Sequence, residues 1–193
     1  MSKRAVLIAL LTACSVSILA QQPAGGGESG KVLVLKDIVG GAVLTPEYQV
    51  KRNPQNSRVK NWYQVVADYE TKPEWLDEVE FTYFVLVENP KATRGPKQNL
   101  FKGSVTYINV NEGKHRSDMF LHPNTVARFG EVKAVAVVVS VQGRIVAMES
   151  KPRSNQRWWE QLAPVEGLLL SRDKTPFAPL YFDDYEPVKQ PAK

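Results

Sequence analysis

The stretch GKHRSDMF sets His115, Ser117 and Asp118 within four positions of one another, and these are the residue types of a hydrolytic triad. A triad is assembled from separate elements, because nucleophile, base and carboxylate must converge on one substrate atom. Three near-neighbours on one strand do not converge, so a polar strand edge is the plainer expectation. Glu78 and Glu80 stand two apart, on one face of an extended strand, and mark a wet face rather than a dyad flanking a cleft. The run FDDYE gathers Asp183, Asp184 and Glu186 as oxygen donors, without the fixed spacing and glycine of a calcium loop. The sequence contains no H-E-x-x-H, no G-x-S-x-G and no glycine-rich phosphate loop. The expectation is a protein that is not an enzyme, with no metal and no cofactor; a hydrolase with an unrecognised site is the remote alternative.

Contact chemistry is better represented. The segment RWWEQLAPVEGLLLSRDKTPFAPLYFDDYEP is too aromatic and aliphatic for a solvated tail. It has two readings: a lid over an apolar sheet face, or a set of exposed anchors in which Trp158, Trp159, Tyr181, Phe182 and Tyr185 hold a protein or stack on sugar rings. A second candidate surface is VKRNPQNSRVK, where Lys51, Arg52, Arg58 and Lys60 surround Pro54 and would meet anionic glycans or lipid headgroups; a solvated loop is the alternative.

The elements that must position these residues read mainly as strands. KVLVLKDIV, NWYQVVADYE, EVEFTYFVLVEN and LFKGSVTYINV alternate with a period of two, and NEGK supplies turn residues to close the last of them. In the second, Tyr63, Val65, Ala67 and Tyr69 share a face; in the third, Val79, Phe81, Tyr83, Val85 and Val87 do. HPNTVARFG, with Pro123, a cap at Asn124 and a stop at Gly130, suits a short helix. EVKAVAVVVSVQGRIVAMES reads as a hairpin turning at Gln142 and Gly143. Val135, Val137, Val139 and Val141 would line a core, which leaves Ala134, Ala136 and Val138 facing outward and in need of a cover, from the chain's own tail or from a neighbour. The fold class is therefore mostly β: an antiparallel β-sandwich with one or two short helices and a C-terminal extension, from about residue 152, packed on a sheet.

The N-terminus indicates location. Lys3 and Arg4 precede an uncharged run from Ala5 to Ala20, and QQPAGGGESG follows, the layout of a secretory signal peptide. Residues 1–20 read as signal, 21–30 as a flexible linker, 31–187 as a single domain and 188–193 as a disordered tail. The run is too short for a spanning helix. Leu11-Thr12-Ala13-Cys14 matches a lipobox, so lipid anchoring through Cys14 is the alternative to cleavage after Ala20. Either route exports the chain to the periplasm, the outer-membrane surface or the medium. Cys14 is the only cysteine, so the domain must hold together without disulfides. The formal charge of +5 falls to +3 without Lys3 and Arg4, and the charges are interspersed, which argues against nucleic acid as a partner.

HPNTVARFG leading into EVKAVAVVVSV and RIVAMES resembles the passage through the last three strands of immunoglobulin-like domains. The paired cysteines and core tryptophan of antibody domains have no counterpart, which excludes the antibody type and leaves the looser immunoglobulin-like sandwich. The chain from about Lys31 to Pro187 also resembles secreted immunoglobulin-like proteins encoded beside type IV pilus-like genes in mucin-associated gut bacteria. That resemblance implies a non-catalytic envelope or pilus-associated role, with protein partners and possible self-association. A module binding mucin-type glycans through exposed aromatics is the alternative.

Overall fold

The computed structural model describes residues 31–48, 60–93 and 95–190. Seven strands, a helix and three 3-10 turns follow in chain order: β1 (Leu33–Leu44), β2 (Asn61–Glu88), β3 (Gln98–Leu121), α1 (Pro123–Phe129), β4 (Glu131–Val141), β5 (Arg144–Lys151), a turn at Trp158–Glu160, β6 (Pro164–Glu166), β7 (Leu169–Ser171), and turns at Arg172–Lys174 and Phe182–Asp184. The strands form one hydrogen-bonded sheet in the order β5-β4-β2-β3-β6, with β1 on the first half of β2 and β7 on the second half of β3. All pairings are antiparallel except that of β6 with β3. The protein is mostly β, as the alternation of its sequence dictates.

Two segments that read as separate strands are one. NWYQVVADYE and EVEFTYFVLVEN are the two halves of β2, joined through Thr71–Trp75, where the pairing with β3 shifts register. Pro73 sits in that break, where its missing N–H disturbs no ladder bond. The ring centroids of Tyr69 and Phe81 lie 4.7 Å apart although twelve positions separate them. An extended strand would put them roughly 40 Å apart at about 3.3 Å per residue, so β2 folds back over itself. The chain at NEGK likewise continues instead of turning. β3 runs on to Leu121, bent where Asn109 (φ 54°) and Gly113 (φ 143°) take up positive dihedrals. The two long strands thus pass from one layer of a sandwich to the other, as strands do when they switch sheets at bends.

The main core lies between these layers. Val65, Ala67 and Tyr69 from one half of β2 meet Val79, Phe81, Tyr83 and Val85 from the other, with Val135, Val137 and Val139 from β4. The valines on alternate positions of β4 face inward as their spacing requires, and the hairpin turns with Gln142 at φ 50° and Gly143 at φ 73°, the positive pair of a type I′ turn. Helix α1 is capped by His122 rather than Asn124: the His122 Nδ1 accepts from the Asn124 backbone N–H at 3.1 Å. Gly130 ends the helix at φ 95°, and a Cβ there would lie 2.3 Å from the carbonyl oxygen of Glu88. Gly130→Ala is expected to cost about 1–3 kcal/mol in equilibrium denaturation, since both the dihedral and the contact must be relieved.

The C-terminal extension supplies the cover that β4 demands. Trp159 closes over Ala136 and Leu100 on the outer face of one layer and stacks on Phe84 at 6.2 Å. The chain then pairs along the β3 edge as β6 and β7 and crosses to the outer face of the other layer. There Phe177 packs on Trp62 and stacks on Phe120 at 4.6 Å. It returns to the β3 edge at its end, where the Lys189 N–H donates to the Thr106 carbonyl at 2.8 Å and the Pro187 carbonyl accepts from Ile108. Val188, bridged to Tyr107, and Lys189 are therefore bonded to the sheet and not part of a free tail; 191–193 lie outside the described residues.

Candidate functional site

One sheet face grades from apolar to charged. Trp62 and Phe120 lie under Phe177; next along β2 and β3 come Gln64 and Asp118; beyond them Asp68 stands opposite Arg116, and Glu70 opposite Lys114. These residues share the outer face because they fall on even positions of paired strands. The extension covers the apolar and middle parts and leaves the charged part open.

The middle part is a buried clamp. Asp118 is wholly buried, and Arg172 donates to both of its carboxylate oxygens, with Nε at 3.2 Å and 3.1 Å. The same guanidinium donates to the carbonyls of Phe177 and Leu180 at 3.0 Å and 3.1 Å and to the Tyr185 hydroxyl at 2.6 Å. The Tyr185 hydroxyl and the Gln64 amide both donate to Asp118, at 3.1 Å and 2.8 Å. Arg172 also lies 3.8 Å over the Tyr185 ring. One arginine thus fixes the backbone on both sides of Ala178–Pro179 and the aromatic that follows, using the planar fork of donors that lysine lacks.

Next to the clamp the chain turns outward. Tyr181 adopts φ 54° and is 71% exposed; Phe182 is 74% exposed. A tyrosine in the left-handed region is uncommon and carries a conformational cost, and here the Leu180 carbonyl immediately before it is held by Arg172. Tyr181, Asp184 and Tyr185 form one wall of an open cleft of about 910 Å³, whose floor is Lys36, Asp68, Glu70, Lys114 and Arg116. Arg116 Nε donates to Asp68 at 2.9 Å, and Lys36 pairs with Glu70. The hydrogen bond from Lys36 holds the Glu70 carboxyl below its ordinary pKa.

The aromatics named from sequence divide sharply. Tyr181 and Phe182 are exposed. Trp159 is buried in the lid, which removes it as an exposed anchor, and Trp158 is half-buried with its ring edge-on to Trp159 at 5.5 Å. Tyr185 is half-buried and bound into the clamp by its hydroxyl. Lys51, Arg52 and Arg58 lie outside the described residues, as do Cys14 and the whole segment 1–30; Lys60 is exposed at the start of β2.

His115, Ser117 and Asp118 lie on β3 where only β2 pairs with it, but their side chains are not the solvated polar edge expected: Ser117 and Asp118 are buried and His115 is largely covered. Ser117 is buried and accepts from the Tyr83 hydroxyl at 2.7 Å, while Asp118 faces the opposite way into the clamp. The His115 Nδ1 lies 3.0 Å from Glu186 and its Nε2 2.9 Å from the Asn111 carbonyl, so this ring ties the end of the extension to the bend of β3. Glu78 and Glu80 are exposed, and Glu78 pairs with Lys189. Among the described residues no cluster of three or more histidine, cysteine or acidic side chains has metal-binding geometry, and no helix is long and apolar enough to cross a membrane.

Burial raises the hydroxyl of half-buried Tyr63, and four further tyrosines carry a larger titration signature. Burial raises the hydroxyls of Tyr69, Tyr83 and Tyr107 well above the ordinary tyrosine range, and burial together with the Asp118 charge pushes Tyr185 up to about 12. A raised folded pKa means that the native state favours the neutral phenol. The stabilisation is complete below the unfolded value near 10 and is lost as pH climbs through the folded values. In an absorbance titration of the seven tyrosines, these four are expected to ionise only as the protein unfolds above about pH 10.

Sequence reasoning named Asp118 only beside His115 and Ser117, and missed its pairing with Arg172 and the charged floor. The signal was present as alternation, since Asp68 and Glu70, and Lys114, Arg116 and Asp118, stand two apart and so share a strand face.

A protein-family model matches residues 28–192. Among solved structures, a crystal structure of a protein from Akkermansia muciniphila is similar at a TM-score of 0.71 and 26% sequence identity, over 83% of this chain and 94% of that one. Among curated protein sequences there is no match.

Proposed function

We propose that this chain, which belongs to the family whose model matches residues 28–192, is an exported, non-enzymatic cell-envelope protein of structural or adhesion type that works by surface contact. One observation carries the reading: Tyr181 and Phe182 are held outward on a turn whose preceding carbonyl is bonded to the buried Arg172–Asp118 pair. Exposed aromatics on a fixed backbone lose little conformational entropy on binding, which is what a contact surface needs. The signal-like N-terminus supports export, and the sequence resemblance supports assembly beside pilus-like machinery and the immunoglobulin-like class of sandwich.

The test is retention of labelled protein on washed envelope fragments from the source bacterium. Tyr181→Ala/Phe182→Ala is expected to cut retention at least tenfold while leaving the circular dichroism spectrum and the denaturation midpoint unchanged. Equal retention of variant and parent, or no retention of either, would contradict the proposal.

A further inference from the structure

We infer that the cleft beside Tyr181 binds a neutral saccharide; this rests on the contact reading above and names the ligand class for the same region. The floor is the open end of a three-stranded face. Asp68 pairs with Arg116 across β2 and β3, Glu70 stands opposite Lys114, and Lys36 reaches Glu70 from the bulge in β1. The wall is Tyr181, Asp184 and Tyr185.

Three properties select a sugar. His115 also lines the cleft with its Nδ1 on Glu186, and the remaining charges cancel, with Lys36, Lys114 and Arg116 set against Asp68, Glu70 and Asp184, so the cleft has no strong attraction for a phosphate, a sulfate or a polyanion. Its polar groups are interleaved donors and acceptors about one strand spacing apart, which suits vicinal hydroxyls because each hydroxyl both donates and accepts. The apolar contribution is aromatic alone: no leucine, isoleucine, valine or methionine lines the cleft. A peptide anchor needs an aliphatic or aromatic pocket to fill, whereas the C–H face of a pyranose needs only a ring to lie on.

The floor's ion pairs are not there for stability. Their side chains are between 38% and 55% exposed, and pairs this exposed contribute little to folding. The wall, by contrast, is rigid. The Asp184 N–H donates to the Tyr181 carbonyl at 3.0 Å, and Arg172 holds both Leu180 and Tyr185, so the aromatic and carboxylate that would touch the sugar are preorganised from behind. Phe182 does not line this cleft.

The experiment uses the intact protein on a panel of neutral oligosaccharides with terminal galactose, N-acetylhexosamine or fucose, beside their sialylated and sulfated counterparts, with affinities for hits measured calorimetrically. The expected result is binding of at least one neutral oligosaccharide, a loss of at least tenfold in affinity in Tyr181→Ala, a smaller loss in Asp184→Asn, and an unchanged affinity in Phe182→Ala. A sulfated or sialylated preference, equal binding by Tyr181→Ala, or no saccharide binding at millimolar concentration would overturn the inference. If saccharides fail while envelope retention still depends on Tyr181 and Phe182, only the ligand class is lost; if retention fails as well, the contact reading falls with it.

Discussion

Asp118→Ala is expected to destabilise the protein by about 3–5 kcal/mol, the range for removing one partner of a buried ion pair. The loss exceeds that of an ordinary hydrogen bond because Arg172, only 11% exposed at its side chain, is left charged with nothing to neutralise it. Gln64 and Tyr185 lose their acceptor in the same step. Asp118→Asn keeps the volume and one acceptor and should cost less. Replacing Asp118 and Arg172 together by apolar residues of similar size should cost less than Asp118→Ala, since no charge is then stranded. Urea denaturation of the four proteins measures the ordering. A second effect follows from the geometry: Arg172 holds the Phe177 and Leu180 carbonyls, so losing its counter-ion should free the 177–185 segment and speed its backbone amide exchange.

Trp159→Ala is the second large effect, also about 3–5 kcal/mol, as for other buried aromatics truncated to alanine. Trp159 is the cover on one sheet face. Without it Ala136 and Leu100 are uncovered, Phe84 loses its stacking partner, and Trp158 loses its edge contact. Trp159→Phe should recover part of the loss. Denaturation midpoints report the cost, and the newly apolar face should bind a hydrophobic dye or promote self-association. Were Trp159 an exposed anchor, alanine would leave stability nearly untouched and abolish retention on envelope fragments; the buried lid predicts the reverse.

Much of this is legible in the amino-acid sequence. Period-two alternation determines which residues of β2 and β4 face inward, and the requirement that Ala134, Ala136 and Val138 be covered follows from two apolar faces on one strand. RWWEQL reads as a helical turn before Pro164, and Leu168, Leu169 and Leu170 as a short strand after it; the turn falls at Trp158–Glu160 and the strand at Leu169–Ser171. The bends in the long strands were not readable. TKPEW and NEGK carry turn residues, and the local signal for ending a strand is the same as the signal for bending one; only pairing with the neighbouring strand decides between them. The clamp was hidden for a related reason. Asp118 and Arg172 are 54 positions apart, and GKHRSDMF sets Asp118 beside His115 and Ser117 and not beside Arg172, so their meeting is set by the path of the extension. The same path turned the aromatic list into two groups, burying Trp159 and exposing Tyr181 and Phe182. The His122 cap shows a smaller version of the effect, since Asn124 is the better capping residue by type but sits one position inside the helix begun by Pro123.

Everything proposed for this chain requires that residues 157–190 are an integral part of the sandwich, closing both outer faces and forming the wall of the cleft. Hydrogen exchange followed by mass spectrometry tests that directly. Amides of Leu169–Ser171, Thr175–Leu180 and Lys189 are expected to be protected to within about tenfold of those in β4, with protection lost together in Asp118→Ala. Exchange of 157–190 at the rate of an unstructured peptide, while β2, β3 and β4 stay protected, would contradict the account.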